Sequence, residues 1–126
     1  MKRDIETRED IFLLVKTFYE KLLADPSINY FFIDIAKIHI EDHLQVLVDF
    51  WDMILFHSDA YQKNAMEPHM ALHRKSPFQP HHFKTWLQYF FETVDELFEG
   101  ATAELVKQRA SSIASVMQTK VLRLHE

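Results

Sequence analysis

Apolar residues return every three or four positions in four separate stretches of this chain, and that spacing commits it to amphipathic helices. The first stretch carries Ile11, Leu14, Val15, Phe18 and Leu22 behind Thr7, a good N-cap with Asp10 at the third helical position, and is predicted to stop near Asp25 and Pro26. The second, over 38–56, carries Ile40, Leu44, Leu47, Trp51, Ile54 and Leu55. A third begins beyond Pro80 with Phe83, Trp86, Leu87, Phe90, Val94 and Leu97, and Gly100 is expected to be its left-handed C-terminal cap. The fourth starts near Thr102 and runs through Val106, Ala110, Ile113, Met117 and Val121 to Leu124. Residues 27–37 are rich in aromatic and apolar side chains without a sustained period, and read as a compact corner packed inward. Residues 58–80 are polar, contain Pro68, Pro77 and Pro80, and leave room for at most a short helix over 66–72. No strand and no repeat is legible, so the expected class is all-α.

Length then sets the scale. The 126 residues are 48% apolar, enough for one core and too few for two, so a single domain over 1–126 is expected. The only glycine is Gly100, which rules out phosphate-cradling loops and dinucleotide fingerprints. Cysteine is absent, and with it disulfides, zinc ribbons and thiolate nucleophiles. A net charge of -5 without a basic stripe argues against nucleic acid as a partner. The mixed charges of residues 1–10 and the short run 11–15 do not make a signal peptide, and no apolar run approaches the roughly 20 residues that span a bilayer, so a soluble, cytoplasmic protein with no membrane partner is expected.

Eight histidines, eleven Phe, four Tyr and two Trp are the first hint of chemistry. His39 with His43, and His69 with His73, stand four apart, so each pair shares a helix face and either could clamp a metal. Spacing alone more often marks solvated or hydrogen-bonded histidines. His43 carries more information, because it sits on the apolar stripe of Ile40, Leu44, Leu47 and Trp51, where a titratable ring needs a polar partner. Tyr19 flanks the buried stripe of the first helix and poses the same demand, and Trp86 adds one indole donor to an apolar face. If these three tips from three helices converge, they suit a flat apolar macrocycle with an iron-bound diatomic ligand, and residues 58–80 offer His69 or His73 as the axial imidazole.

The order and spacing of these residues resemble the group III truncated haemoglobins over nearly the whole chain. The resemblance rests on Phe18-Tyr19 with Asp25-Pro26, His43-Leu44 with Phe50-Trp51, the run Tyr61, Asn64, Met66, His69 and Leu72, and His82-Phe83 with Trp86-Leu87. Thr93-Val94-Asp95, Phe98-Glu99-Gly100, Ala103-Glu104, Arg109-Ala110 and Ile113-Ala114 continue it. Departures are Lys63 and Ala65, where many relatives have Gly and Pro, and Ile40 in place of a Trp.

The resemblance implies a globin-like fold shortened to a two-over-two helical sandwich, with non-covalent haem b (iron protoporphyrin IX). It makes His69 the proximal iron ligand, Tyr19 the distal tyrosine, His43 the distal histidine, Trp86 the pocket tryptophan, Phe32 the aromatic against the ring, and Trp51 the tryptophan over the haem. An alignment anchored on Pro77-Phe78 would make His73 the ligand instead. Asn64, Met66 and Leu72 favour His69, and leave His73 exposed or beside a haem propionate. The implied partners are small diatomic ligands at a five-coordinate iron, with His43 either gating access or bonding the ligand. Nitric oxide or peroxide chemistry would need a separate reductase, because the chain has no flavin or nicotinamide domain, and whether it is an enzyme stays open. A non-haem metal bundle using His39, His43, His69, His73 and Glu41 is the alternative, weakened by missing Glu-x-x-His pairs. A cofactor-free interaction module ranks third.

Overall fold

The computed structural model describes residues 2–35, 39–57, 66–75 and 78–123. Among the described residues five α-helices and one π-helical turn follow one another: α1 (Arg8–Ala24), the π turn (Phe31–Ile35), α2 (Ile40–Phe56), α3 (Met66–Lys75), α4 (Pro80–Leu97) and α5 (Ala101–Arg123). Tyr61, Asn64, Pro77 and Leu124, which figured in the expectations, lie outside the described residues.

Local chemistry explains where the helices begin. Thr7 caps α1, accepting the Asp10 N–H at 3.2 Å, while the Asp10 carboxylate accepts the Thr7 and Glu6 N–H groups at 3.0 and 2.9 Å and pairs with Arg3. Such a cap contributes about 1 kcal/mol. Helix α1 ends where Asp25 turns extended, one residue before Pro26. Pro80 opens α4 at its first position, where its missing N–H costs nothing.

Two expectations about boundaries are corrected. Helix α2 is described from Ile40, residue 38 lying outside the described residues, but α3 runs on to Lys75, three residues past the short helix expected at 66–72. Gly100 does not cap α4, which closes at Leu97 with Phe98 extended. Its φ of +144° lies outside the left-handed helical region, and a Cβ there would meet the Asp4 Cγ at 2.5 Å. The reason is Asp4, whose carboxylate accepts the Thr102 and Ala103 N–H groups at 2.9 and 2.8 Å. Asp4 therefore caps α5 from the other end of the chain, and only a residue without a side chain leaves it room.

The α1 and α2 pair packs on the α4 and α5 pair, with α1 against α4 and α2 against α5, which is the two-over-two sandwich. Arg8 ties α1 to Asp49 and Asp52 of α2, and Lys21 reaches Glu96 of α4 at 2.9 Å. The core runs through Ile11, Leu14, Phe18 and Leu22 of α1, Val48 and Trp51 of α2, Phe90 and Val94 of α4, and Val106 and Ala110 of α5. Helix α3 touches α5 and the π turn, and its Leu72 packs against the edge of this core. Of the aromatic corner, Ile28 and Phe31 pack inward as expected, whereas Ile33 is exposed. Among the described residues no helix is long and apolar enough to cross a membrane.

Candidate functional site

Between the two helix pairs and α3 lies a cavity of about 440 Å³. All five helices and the π turn contribute to its wall. Tyr19, Phe32, His43, Trp51, His69 and Trp86, the six residues singled out from the sequence, all line it. Ile113, Ala114 and Met117 of α5 complete an otherwise apolar surface.

The polar demands of α1 and α2 answer each other. The Tyr19 hydroxyl and His43 Nε2 lie 3.0 Å apart, and the rings meet edge to face at 5.2 Å. Burial pushes the Tyr19 hydroxyl well above the usual phenol range, so it keeps its proton. Burial, and next the charge of His69, pull the His43 imidazole below the ordinary histidine range, so it is neutral at pH 7. A neutral hydroxyl and a neutral imidazole remain, able to exchange donor and acceptor roles.

Aromatic packing fixes both groups. Phe32 of the π turn sets its edge against Tyr19 at 5.4 Å, and Phe18 does so from within α1 at 5.5 Å. Phe90 is sandwiched between Trp51 of α2, stacked at 5.3 Å, and Trp86 of its own helix, stacked at 5.5 Å. The two tryptophans are thereby held in one layer across the sandwich, and aromatic pairs of this kind contribute about 0.5–1.5 kcal/mol each beyond burial.

The two histidines of α3 separate. His69 is exposed in the chain and contributes to the cavity wall. His73, expected to be exposed or beside a propionate, is instead buried at 2% exposure and is not part of that wall. The physical reason is its Nδ1, which accepts the Phe78 N–H at 2.9 Å while the ring stacks on Phe78. His39 is exposed at the start of α2 and does not join His43 in the cavity. Among the described residues no group of three or more His, Asp or Glu side chains could hold a bare metal ion, which leaves the non-haem bundle without a ligand set there.

His82, Phe31, Phe78 and Phe83 also line the cavity and were not singled out from the sequence. His82 stands four before Trp86, so the helical period that exposes Trp86 to the cavity carried the signal. Its Nδ1 accepts the Gln79 N–H at 2.8 Å, and its Nε2 lies 3.1 Å from the Tyr30 hydroxyl. The accepting Nδ1 leaves the proton on Nε2, which donates to Tyr30.

Comparison with known proteins agrees with this geometry. The model of the family described as bacterial-like globin matches residues 4–121. The group 3 truncated hemoglobin ctb of Campylobacter jejuni subsp. jejuni serotype O:2 (strain ATCC 700819 / NCTC 11168) is 26% identical over 126 residues, covering 98% of this chain and 97% of that protein. The crystal structure of group III truncated hemoglobin from Campylobacter jejuni has the same fold with a TM-score of 0.83 and 27% identity, over 96% of this chain and 95% of that one. An all-helical two-over-two sandwich, matched along nearly its whole length, places the chain in the bacterial-like globin family as a group III truncated haemoglobin.

Proposed function

We propose that this chain binds haem b through His69 and takes small diatomic ligands beside Tyr19, His43 and Trp86. The observation that carries the reading is the Tyr19 and His43 pair, bonded at 3.0 Å in the wall of an apolar cavity to which His69 contributes from another helix. The residues fit the group: aromatic and aliphatic side chains suit a flat macrocycle, an imidazole on α3 suits an axial ligand, and the polar tips come from α1, α2 and α4.

Haem iron, when bound, supplies the open coordination position for the diatomic ligand. The chain's own residues decide how firmly that ligand is held. Tyr19 keeps its proton and offers it as a donor, while neutral His43 is able to accept from Tyr19 or donate to it. When Tyr19 turns its O–H to a ligand, His43 Nε2–H donates to the phenol oxygen and keeps that oxygen satisfied. Trp86 offers one indole N–H, and the aromatic layer around Phe90 keeps water out.

Slow release of dioxygen follows from two donors, each worth roughly 1 kcal/mol or several-fold in rate. Nitric oxide removal or peroxide chemistry would draw electrons from a separate reductase, and a cytoplasmic setting belongs to the same reading. Adding hemin to the purified chain tests the core of it. One equivalent should produce a Soret band that persists through gel filtration, and its absence overturns the proposal.

A further inference from the structure

Two consecutive backbone amides between α3 and α4 are held by imidazoles. Phe78 N–H donates to Nδ1 of His73 at 2.9 Å, and Gln79 N–H donates to Nδ1 of His82 at 2.8 Å. His73 belongs to α3, one turn beyond His69, and His82 belongs to the first turn of α4. The segment is thus stitched to both helices at once. The His73 ring also stacks on Phe78 at 5.8 Å, and Phe78 meets Phe31 at 4.7 Å and Phe83 at 5.7 Å, all three phenyl rings lining the cavity.

The hydrogen bond also settles which nitrogen of His73 is protonated. A neutral imidazole carries one proton, so an Nδ1 that accepts leaves the proton on Nε2. An axial ligand has the opposite pattern, a lone pair toward iron and an N–H toward an acceptor. What His73 does supply is a tether. Helix α3 has ten residues, too few to be stable alone, and its principal contacts are with α5 and the π turn.

Resting on the reading of His69 as the axial ligand, we propose that His73 is its positioning residue: by accepting the Phe78 amide it fixes α3 against the start of α4 and so aims His69, one turn away on the same face, into the cavity. Burial of the His73 ring explains why its Nδ1 needs a partner, since an unpaired polar atom in a buried ring is costly, and the half-buried Phe78 amide supplies it.

The test compares His73→Asn and His73→Leu with the unmodified haem-loaded protein. Asn carries Oδ1 on Cγ where His carries Nδ1, so it accepts the amide but supplies no imidazole. Leu fills space and accepts nothing. The readouts are the iron–histidine stretching band of the ferrous protein by resonance Raman and the rate of haem transfer to an acceptor globin. His73→Asn should keep the band in place and transfer haem near the unmodified rate. His73→Leu should shift or broaden the band and speed transfer by roughly tenfold, the order expected when a part-buried amide loses its hydrogen-bond partner. If His73→Leu fails to hold haem, an unmoved band in His73→Asn still supports the proposal. Both variants matching the unmodified protein overturns it while the His69 reading stands, and so does a band that is kept but shifted equally in His73→Asn and His73→Leu. Loss of the band in both variants, with haem retained, makes His73 itself the ligand and overturns both readings.

Discussion

The Tyr19 hydroxyl and Nε2 of His43 lie 3.0 Å apart, each the polar partner that the other requires inside an apolar wall. Neither was satisfied by its own helix, and this mutual solution ties α1 to α2 at the cavity. It also makes Tyr19 the donor whose removal is cleanest to interpret.

Tyr19→Phe should accelerate dioxygen release from the ferrous haem-loaded protein several-fold, since one neutral hydrogen bond contributes about 1 kcal/mol. The ring and its edge contacts with Phe18 and Phe32 remain, but His43 Nε2 loses its partner, so thermal stability should fall by about 1 kcal/mol. Trp86→Phe removes a second donor but also leaves a gap beside Phe90, mixing two effects. In the double variant the effects should depart from additivity, because both donors address one ligand. Stopped-flow release rates decide this, and an unchanged rate in Tyr19→Phe would mean that its hydroxyl never serves the ligand.

Acid should loosen the start of α4 through His82. Burial and then the neighbouring His81 hold the His82 imidazole below its ordinary value, outweighing the Ser27 carbonyl that raises it. The unfolded chain therefore takes up this proton first as pH falls below about 6.5. Stability is complete above that pH and is lost as pH drops toward the depressed folded value, where protonation of Nδ1 also breaks the bond from Gln79 N–H. Urea midpoints measured across this window should decline. His82→Asn, whose Oδ1 accepts the same amide and does not titrate there, should show a shallower decline, and equal slopes would remove His82 as the cause.

Gly100→Ala should destabilise the fold without touching the cavity. The alanine must adopt a φ of +144° and press its Cβ within 2.5 Å of the Asp4 Cγ. A cost of about 1–3 kcal/mol is expected from the backbone alone. Asp4→Ala frees that space but leaves the Thr102 and Ala103 amides uncapped, at about 1 kcal/mol. The double variant should lose less than the sum, because the clash disappears with Asp4. Denaturant unfolding of all four proteins checks this cycle, and strict additivity would contradict the contact.

Helical periodicity made the four long helices legible, because each places one apolar face toward a shared core. It also brought Tyr19, His43 and Trp86 to that face, where their polar tips stood out against aliphatic neighbours. Periodicity misjudged the pieces governed by distant contacts. The role of Gly100 depends on Asp4, nearly the whole chain away, and no local window contains both. With His69 taken as the ligand, His73 was left exposed or beside a propionate, yet its acceptor bond to Phe78 goes with a buried ring. His82 carried part of the resemblance but was not named as a site residue, because a histidine in a first helical turn ordinarily faces water, and the Tyr30 hydroxyl across the fold gives it a place inside.

The axial assignment can be tested by replacing the imidazole and then returning it. His69 lines the cavity from α3, whereas the Nδ1 of His73 already accepts the Phe78 amide. His69→Ala should therefore lose tight haem retention while keeping its helical circular dichroism, since an exposed side chain contributes little to folding. The deletion leaves space at the cavity wall about the size of the ring removed. Free imidazole in millimolar excess should enter that space, bind the iron, and restore both the Soret band and its retention through gel filtration. The Asn variant of His73 serves as the control, because it removes a neighbouring imidazole while preserving the tether. If His69→Ala retains haem with an unmoved iron–histidine band, another histidine holds the iron and the site is assembled around the wrong residue.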